Sequence, residues 1–518
     1  MNINIPDEVR FIIDTLEKNG YEAFAVGGCV RDAVLGYEPK DWDICTPALP
    51  EQVMQCFDGY HIIETGLQHG TITLMIEHKP FEITTYRIDG IYSDNRHPDK
   101  VEFVSNLKED LSRRDFTINA MAYNPLKGFV DFFGGISDIN NRIIRCVGDA
   151  DKRFQEDALR IMRALRFASV LGFSIEDETA GSIEKNKELL SNIAAERISA
   201  ELNKLITGIN ADAVLLSYTS VFEEIIPEIS PMIGFEQNTP YHYLDVWKHT
   251  VKSVVNAPAE KILRLTMLFH DIAKPVSYTE VDSVGHFYGH PQISSDMATE
   301  ILLRLKYDND TIEAVTQLIL YHDTDIQPRR KHIKRWLNRI GEERFRQLLI
   351  IRKADAMAQS EEYRQEKLDA LKLTLPILDD IIEQQQCFSL KDLAINGRDL
   401  IAIGVPEGVT IGVILNKLLD AVINEAVVNE KNHLIQEAYK WKNISNAYPL
   451  EHFEKVSRAC VRNYTNEEWN ALSEKLHNPD NEVYCPRCDN EIECEEIGNS
   501  ISVHCISEDC IFGGIRGL

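Results

Sequence analysis

In the 518-residue chain we expect neither a signal peptide nor a membrane-spanning segment. No apolar run approaches the ~20 residues that a bilayer-spanning helix requires. The first twenty residues carry acidic side chains where a signal peptide would have a basic segment and an apolar core. Internal repeats and low-complexity segments are absent too. We therefore expect a cytoplasmic protein with no membrane partner, built from several domains of roughly 100–150 residues each.

Positive charge is outweighed by negative charge. Lys and Arg number 55 against 82 Asp and Glu, which gives a formal net charge of −27. This balance argues against a protein that coats nucleic acid along its whole surface, although it permits local basic faces. The Lys- and Arg-rich segment 329–353 is one candidate, with a solvated helix face as the alternative. The eleven cysteines are mostly isolated, as in a reducing compartment, except for a cluster after residue 484.

Chemistry is first indicated by the segment AFAVGGCVRDAVLGYEPKDWDIC. A strand that ends at Gly27-Gly28 and turns into a helix lets backbone N–H groups approach an anion, because glycine has no Cβ. The spacing matches neither the Rossmann nor the Walker fingerprint. If KDWDI is a strand, Asp41 and Asp43 point to one face and can hold Mg²⁺ ions. Such metals activate an attacking hydroxyl and neutralise a pyrophosphate leaving group. The alternative is a surface loop.

These motifs resemble the signature of class II template-independent RNA nucleotidyltransferases, the family that contains CCA-adding enzymes and bacterial poly(A) polymerases. Three further motifs carry the resemblance: TGLQHGTITL, RRDFTINAMAYNP at 113–125, and VDFFGGISDINNRIIRCVGDADKRFQEDALRIMRALRFA at 130–168. The resemblance implies that CTP and ATP are added to the 3′ end of tRNA with Mg²⁺ as cofactor. In this interpretation Asp41 and Asp43 are the catalytic metal ligands.

The segment EDALRIMRALRF predicts a helix with an apolar face and a charged one. On the charged side stand Asp157, Arg160, Arg163 and Arg166. Three arginines at this spacing repel one another, so a solvated basic face would need anionic neighbours. A bound triphosphate would supply such charge.

The resemblance also implies how the base is selected. Cytosine and adenine each present an amine donor beside a ring-nitrogen acceptor, which the carboxylate of Asp157 and the guanidinium of Arg160 complement. Uracil and guanine would leave buried groups unpaired. The other nucleotide-binding residues that the resemblance implies are Gly28 and Arg31 at the phosphates or ribose, Arg114 against the nucleotide, and Arg163 and Arg166 at the phosphates or behind the base-reading pair.

Several activities of the family remain open. TGLQHGTI looks like the CCA-adding type, and IDGIYSDNRHPD resembles the flexible loop associated with switching from C to A, which weighs against a CC-only enzyme. Residues 393–419 resemble the tRNA-embracing part of CCA-adding enzymes. An A-adding specialist and a poly(A) polymerase are the alternatives. A non-catalytic RNA-binding or regulatory protein is a further one, against which Asp41, Asp43 and Arg160 argue.

The helical middle carries an ordered set of His and Asp residues that resembles the HD superfamily of metal-dependent phosphohydrolases. The set consists of His249, His270, Asp271 and Asp355, with His290 and His322 as candidates for a second metal. Imidazole and carboxylate ligands suit Mn, Fe, Co, Ni or Mg. For CCA-adding enzymes with an attached HD domain, the family implies phosphatase or 2′,3′-cyclic phosphodiesterase activity. The alternative is a domain retained for packing or RNA contact.

The tail predicts a structural zinc site. Two cysteine pairs, Cys485 with Cys488 and Cys505 with Cys510, have the spacing of two zinc knuckles, and Cys494 and His504 are spare candidates. A tail with so few apolar residues needs such a staple to fold. Redox chemistry and disorder are the alternatives.

Together these features predict a multidomain fold class, an α+β nucleotidyltransferase head followed by all-α neck, HD and tail domains and a small four-cysteine zinc ribbon. The predicted ranges are 1–145 for the head, 146–235 for the neck, 236–372 for the HD domain, 373–448 for the helical tRNA-binding tail, 449–480 for a linker and 481–518 for the zinc-ribbon-like segment.

Overall fold

The structure, a computed structural model, describes residues 3–89 and 101–441 and, nearer the C-terminus, 471, 475, 483–485, 491–497, 500–505 and 512–516. The chain divides into two compact units, Met1–Ser389 and Leu390–Leu518. Most of the segment IDGIYSDNRHPD, in which we predicted the flexible loop, lies outside the described residues, as does most of the predicted linker at 449–480.

The first unit begins with a mixed β-sheet. The first nine strands are β1 (Phe24–Val26), β2 (Asp43–Thr46), β3 (His61–Ile63), β4 (Thr71–Ile76), β5 (Lys79–Thr85), β6 (Arg87–Asp89), β7 (Val101–Phe103), β8 (Met121–Asn124) and β9 (Gly128–Asp131). Seven of them form one sheet in the order β3-β4-β5-β2-β1-β8-β9, while β6 pairs with β7. Strands β2 and β5 run parallel, and the other neighbours in the sheet are antiparallel. The α+β head predicted from the sequence is confirmed.

Both faces of this sheet are covered by apolar residues. Ala25 of β1 joins the main hydrophobic core, while its neighbours Phe24 and Val26 belong to a second, smaller cluster. Successive side chains of a strand point to opposite faces, so β1 is a central strand with a core on each side. Polar groups of these central strands therefore reach solvent only near the strand ends, and Asp43 is the first residue of β2.

Helices surround and continue this sheet. They are α1 (Asp7–Lys18), α2 (Gly28–Val34), α3 (Pro50–Cys56), α4 (Leu107–Ser112), α5 (Gly135–Asn141), α6 (Ala150–Glu156), α7 (Leu159–Leu171), α8 (Asp177–Asn186), α9 (Ala195–Ile206), α10 (Ala211–Ser217) and α11 (Thr219–Ile225). The prediction of an all-α chain after the head is wrong in detail, because β10 (Ile143–Ile144) pairs in parallel with β11 (Ser174–Ile175). A two-residue pairing is too short to give the alternating pattern that identifies a strand.

The rest of the first unit is mainly helical. It contains α12 (Val246–Asn256), α13 (Lys261–Phe269), α14 (Lys274–Ser277), the hairpin β12 (Thr279–Val281) and β13 (Val284–His286), and then α15 (His290–Arg304), α16 (Asn309–Tyr321), α17 (Arg330–Ala358) and α18 (Glu361–Glu383). Helix α17 carries the basic segment and is broken at Gly341, whose φ is 77°. Helix α18 continues across residues 372 and 373, where the sequence predicts a domain boundary.

The second unit contains three helices and a small sheet among its described residues. These are α19 (Gly397–Ala402), α20 (Val409–Ile423) and α21 (Lys431–Trp441), followed by the antiparallel strands β14 (Ile492–Ile497), β15 (Ser500–Cys505) and β16 (Phe512–Arg516). Across the described parts of both units, every helix is too short or too polar to cross a bilayer.

Candidate functional site

The glycine turn after β1 makes room for an arginine. Gly27 has φ 85° and ψ −131°, and a Cβ added to it would lie 2.8 Å from Nη1 of Arg114. A Cβ on Gly28 would lie 3.8 Å from Nη2 of Arg31. The predicted helix after the glycine turn is present, but it begins at Gly28 and ends at Val34, whereas the sequence predicts residues 31–35. The backbone at the two glycines therefore lies close to two guanidinium groups, those of Arg114 and Arg31. Guanidinium groups are suitable partners for a phosphate.

The two aspartates share one exposed face. Asp41 and Asp43 are exposed and Trp42 between them is buried. The strand is shorter than KDWDI, because β2 begins at Asp43 and Asp41 lies before it. The alternation of exposed and buried residues nevertheless extends through Asp41, so both carboxylates reach solvent on the side away from Trp42.

A third carboxylate, which the sequence analysis missed, stands beside them. Glu82 of β5 is directly opposite Asp43 in the parallel register, and it is exposed. Partial desolvation and the negative charges of Glu82 and Asp41 raise the pKa of Asp43, against the opposing charge of Arg114. The signal was present in FEITT, where Glu82 alternates with the buried Phe81 and Ile83.

These carboxylates fit a hard cation. Oxygen ligands are those that Mg²⁺ prefers, and it is commonly held by one or two carboxylates together with substrate phosphates. The negative charges of Glu82 and Asp41 repel that of Asp43, and a bound divalent ion would relieve this repulsion. Asp41, Asp43 and Glu82 are therefore the residues that would hold Mg²⁺.

A hydrogen-bonded chain links the glycine turn to α7. Arg31 Nη1 donates to Asn119 Oδ1 at 2.7 Å, and Asn119 Nδ2 donates to Asp115 Oδ1 at 3.1 Å. Arg163 Nε and Nη2 donate to Asp115 Oδ2 at 2.9 and 2.5 Å. Burial by itself would raise the pKa of Asp115, but the charge of Arg163 and these hydrogen bonds hold it well below its usual value.

The arginines of α7 have carboxylate partners within the protein. Arg160 Nη1 lies 2.8 Å from Glu156 Oε2, Arg163 pairs with Asp115, and Arg166 Nε lies 2.7 Å from Glu201 Oε2. A bound triphosphate is therefore not required to balance these charges. Arg163 keeps 34% of its side chain exposed, against 11% for Arg160 and 15% for Arg166, so Arg163 is the most accessible of the three to a ligand.

Asp157 and Arg160, the two residues assigned to base selection, are fixed by hydrogen bonds to other groups of the protein. The prediction that Asp157 belongs to the helix is wrong, because it precedes α7 in an extended conformation with φ −140° and ψ 102°. Its Oδ2 accepts from Arg197 Nη2 at 3.1 Å, and its Oδ1 accepts from the backbone N–H of Leu159 at 3.1 Å. A short break between two helices carries no periodic signal, which is why the pattern did not show it.

Arg160 is fixed in a similar way. It is 9% exposed, and its Nη1 and Nη2 donate to the carbonyls of Arg153 and Arg113, each at 3.1 Å, in addition to the ion pair with Glu156. A guanidinium has five N–H donors, so these three hydrogen bonds leave donors for a further acceptor.

The six His and Asp residues of the helical middle meet in one buried cluster, as the sequence predicts. It contains His249, His270, Asp271, His290, His322 and Asp355. Asp271 lies at its centre. Its Oδ2 is 3.4 Å from Nε2 of His249 and 3.2 Å from Nε2 of His270, while its Oδ1 is 3.5 Å from Nε2 of His290 and 3.7 Å from Nε2 of His322.

The cluster has a buried polar atom that a metal ion would satisfy. Within the described part of the chain, His270 Nε2 makes no hydrogen bond of regular geometry, although it lies 3.2 Å from Asp271 Oδ2, an oxygen that is ion-paired with Lys274 Nζ. Unsatisfied buried polar atoms are costly and rare in folded proteins. Burial lowers the pKa of His270, but the carboxylates of Asp271 and Asp355 raise it to about 10, so the pocket attracts positive charge.

Two residues beside this cluster were missed from the sequence. Lys274 Nζ lies 2.8 Å from Asp271 Oδ2 and 2.8 Å from Gln237 Oε1. His242 Nε2 lies 3.5 Å from Lys274 Nζ, and the His242 ring centroid is 4.8 Å from that of His249. Burial and the charge of Lys274 lower the pKa of His242 to about 2, so its imidazole is neutral.

Only two of the four cysteines of the predicted zinc site lie among the described residues. Cys485 is buried and Cys505 is the last residue of β15, while Cys488 and Cys510 lie outside the described residues. Cys494 stands in β14 opposite Val503. The zinc site therefore stays a prediction.

Comparisons with known proteins agree with the head and body. Residues 23–145 match a family model described as "Poly A polymerase head domain", residues 172–233 match one described as "Probable RNA and SrmB-binding site of polymerase A", and residues 287–438 match a tRNA nucleotidyltransferase domain 2 model.

Relatives extend over most of the chain. The CCA-adding enzyme of Ligilactobacillus salivarius is 33% identical over 451 residues, which are 84% of this chain and 98% of the relative. That of Geobacillus kaustophilus is 34% identical over 435 residues, 83% and 95% of the two chains. The crystal structure of Bacillus stearothermophilus CCA-adding enzyme in complex with CTP is similar with a TM-score of 0.61 and 27% identity, and covers 85% of this chain and 98% of that one. The chain belongs to the family of CCA-adding enzymes.

Proposed function

We propose that this chain adds or repairs the 3′-terminal CCA of tRNA from CTP and ATP without a nucleic acid template. The observation that carries the proposal is the exposed carboxylate set of Asp41, Asp43 and Glu82, which shares the head with Arg114 at the glycine turn. Two CCA-adding enzymes support it, because this chain matches them over almost their full length. Because tRNA and nucleoside triphosphates are cytoplasmic compounds, the proposal places the reaction in the cytoplasm.

The reaction forms a bond between the tRNA 3′-oxygen and the α-phosphorus and breaks the bond to the β-phosphate, so that pyrophosphate leaves. Bound Mg²⁺ lowers the pKa of the attacking hydroxyl and offsets the charge of the leaving group. Asp41, Asp43 and Glu82 hold the cation. Arg31, Arg114 and Arg163 bind phosphate oxygens as fork-like donors.

Base selection falls to Asp157 and Arg160. The carboxylate accepts from the exocyclic amine of cytosine or adenine, and the guanidinium donates to the neighbouring ring nitrogen. Arg197 and Glu156 fix the two groups before the nucleotide arrives. A carbonyl and a ring N–H, as in uracil, would place like groups against each other and cost roughly 1–3 kcal/mol per unpaired buried group. The helical segment 393–419 and its neighbours take the tRNA body in this proposal.

The test uses two tRNAs, one that ends before CCA and one that ends in CC. Each is incubated with the purified chain, Mg²⁺ and one labelled nucleoside triphosphate at a time. CTP should be incorporated into the first and ATP into the second, with UTP and GTP rejected. Incorporation of ATP alone into the CC-ending tRNA would indicate an A-adding specialist, and long A tails on any RNA would indicate a poly(A) polymerase. No incorporation at all would leave a non-catalytic RNA-binding protein.

We also propose a second function, hydrolysis of phosphate esters at the His and Asp cluster. The observation that favours it is the position of Asp271, whose two oxygens face two different groups of imidazoles. One ion would be held by His249, His270, Asp271 and Asp355, and a second by Asp271, His290 and His322. Lys274, whose Nζ lies 2.8 Å from Asp271 Oδ2, adds a positive charge beside these ligands, which supports the proposal of an anionic substrate.

Metal ions held there would supply hydroxide at neutral pH, since they would lower the pKa of a bound water. In such a hydrolysis a water oxygen bonds to phosphorus, the P–O ester bond breaks, and the leaving oxygen takes up a proton. A 2′,3′-cyclic phosphate or phosphomonoester at a nucleotide or tRNA end is the substrate class that the family resemblance implies. The alternative to a hydrolase is that this domain has no catalytic activity and is retained for packing or RNA contact.

The test combines metal content and hydrolysis. Bound Mn, Fe, Co, Ni and Mg are quantified in the purified protein, and release of phosphate and opening of a 2′,3′-cyclic nucleotide are assayed with each metal. His270→Ala should lose hydrolysis and keep CCA addition, whereas His290→Ala should lose one bound ion and keep the other. His433→Ala, an exposed histidine of α21, is the matched control. If no metal gives hydrolysis, or if the variants match the control, the domain is structural.

For the tail we propose a structural zinc ion on Cys485, Cys488, Cys505 and Cys510. Such sites contribute folding free energy directly. Zinc quantified in the wild type and in Cys485→Ser should differ by one ion per chain, and equal content in both proteins would refute the site.

A further inference from the structure

Three guanidinium groups converge on one phenylalanine. Phe167 of α7 is 5% exposed, and the Cζ atoms of Arg166, Arg31 and Arg163 lie 3.9, 4.9 and 5.6 Å from its ring centroid. Two of these arginines belong to α7 itself, and Arg31 belongs to α2, beside the glycine turn. The ring is therefore a shared surface between the head and the helix that follows it.

This convergence needs a physical explanation, because three like charges within a few ångströms repel one another. Each guanidinium pairs with a carboxylate: Asp32 for Arg31, Asp115 for Arg163 and Glu201 for Arg166. The negative face of the aromatic ring attracts cations as well, and the attraction is stronger where water is excluded. Phe116 supports the ring from the core, with centroids 5.8 Å apart in a T-shaped contact.

The position of each guanidinium thus depends on the ring as well as on its carboxylate. A carboxylate alone lets an arginine rotate about the ion pair, since the side chain has several free torsions. A flat ring beneath the guanidinium restricts its plane, and the remaining N–H donors then point in a fixed direction. An aliphatic side chain of similar volume would fill the core but would not attract or align the three cations.

We propose that Phe167 is a positioning residue for the triphosphate, which holds Arg31 and Arg163 in the arrangement that receives the phosphates, with Arg166 held against the same ring. The inference rests on the proposed nucleotidyl transfer. It adds to that proposal an apolar residue that fixes the orientation of the phosphate-binding arginines. This residue itself has no role in binding Mg²⁺ or the base. Because both CTP and ATP carry the same triphosphate, Phe167 should affect the binding of the two nucleotides equally.

The experiment compares Phe167→Leu, Phe167→Tyr and the control Phe173→Leu. Phe173 is also 5% exposed in the same core, and in the described part of the chain no Lys or Arg lies over its ring. Phe167→Leu should raise the KM for CTP and for ATP about tenfold, the scale of a desolvated cation–π contact, while kcat and the rejection of UTP change little. Phe167→Tyr, which keeps the aromatic face, should restore KM. Phe173→Leu should lower Tm without this change in KM.

The outcomes separate the two proposals. A wild-type chain that neither binds CTP nor incorporates it overturns the nucleotidyl transfer and, with it, this role of Phe167. A wild-type chain that incorporates nucleotides, with Phe167→Leu and Phe173→Leu equal in KM, overturns the positioning role alone. If Phe167→Leu does not fold, the comparison of Phe167→Tyr with Phe167→Met decides, since only Tyr retains a ring, and equal KM values for those two would likewise refute the proposal.

Discussion

The guanidinium of Arg114 occupies the space that a side chain on Gly27 would need. The distance from Nη1 to the position of an added Cβ is 2.8 Å, and the φ of Gly27 is 85°. Gly27→Ala is therefore expected to strain the backbone by about 1–3 kcal/mol and to displace Arg114. Nucleotide transfer should fall by more than the loss of Tm explains. Gly20→Ala is the control, because Gly20 has φ 87° but nothing within 4 Å of an added Cβ. Equal activity in the two variants would contradict the role of Arg114.

Removal of either aspartate should abolish transfer and spare tRNA binding. Asp41→Ala and Asp43→Ala each take away a ligand for Mg²⁺, whose role is chemical and not one of substrate affinity. Turnover on CC-ending tRNA and equilibrium binding of the same tRNA are the two measurements. A variant that retains a tenth of wild-type turnover, a loss of only about 1.4 kcal/mol of transition-state stabilisation, would exclude that residue from the mechanism.

Glu82→Gln should lower the pH at which kcat begins to fall in acid. The charge of Glu82 helps to raise the pKa of Asp43, so its removal lowers that pKa. Protons compete with Mg²⁺ for Asp43 as the pH falls through its pKa, and the acid limb of kcat should therefore shift to lower pH in the variant. The absolute rate should also fall, because a cation ligand is lost. A pH profile at a fixed Mg²⁺ concentration below saturation measures the shift, and an unchanged acid limb would show that the charge of Glu82 does not influence Asp43.

Arg160→Ala should weaken the distinction between CTP or ATP and UTP or GTP. The donor to the ring nitrogen disappears, and the carboxylate of Glu156 and two backbone carbonyls each lose one hydrogen bond, so stability should fall by about 2 kcal/mol. Incorporation of all four nucleotides and Tm are measured together. Arg145→Ala, which removes a more exposed arginine, is the control. A variant that loses rate while it discriminates as before would make Arg160 a phosphate-binding or structural residue.

The ion pair between Asp115 and Arg163 should make stability depend on pH in the acid range. The folded state holds the pKa of Asp115 below its unfolded value, so near pH 4 the unfolded chain binds more protons. The contribution is complete above the unfolded pKa of about 3.9 and is lost as the pH falls through the folded value. Asp115→Asn should cost about 2 kcal/mol at neutral pH, and the difference from the wild type should shrink in acid.

Urea unfolding of both proteins at neutral and acid pH measures this effect. Asp151→Asn is the control, because Asp151 pairs with an exposed lysine and such surface pairs contribute about 0–1 kcal/mol. A stability difference between wild type and Asp115→Asn that does not change with pH would show that the hydrogen bonds of Asp115, and not its charge, stabilise the fold.

The sequence alone determined those features that depend on local spacing. Short β-rich runs identified the α+β head, and the glycine pair indicated a tight turn, at which Gly27 has a φ of 85° that other residues avoid. The same-face placement of Asp41 and Asp43 follows from the period of two in extended chain. The order of His249, His270, Asp271 and Asp355 indicated one cluster, because ligands for a metal must meet wherever they stand in the chain.

Only the tertiary structure decided what depends on contacts between distant segments. Glu82 became a candidate ligand through the parallel register of β2 and β5, which no local pattern encodes. The carboxylate partners of Arg163 and Arg166 come from residues 115 and 201, so charge balance on α7 was not readable from α7. Asp157 lies outside the helix, and its carboxylate pairs with Arg197 of α9, which is 40 residues away in the sequence. The physical reason is common to all three, since the energies of burial and ion pairing are set by neighbours in space and not by neighbours in sequence.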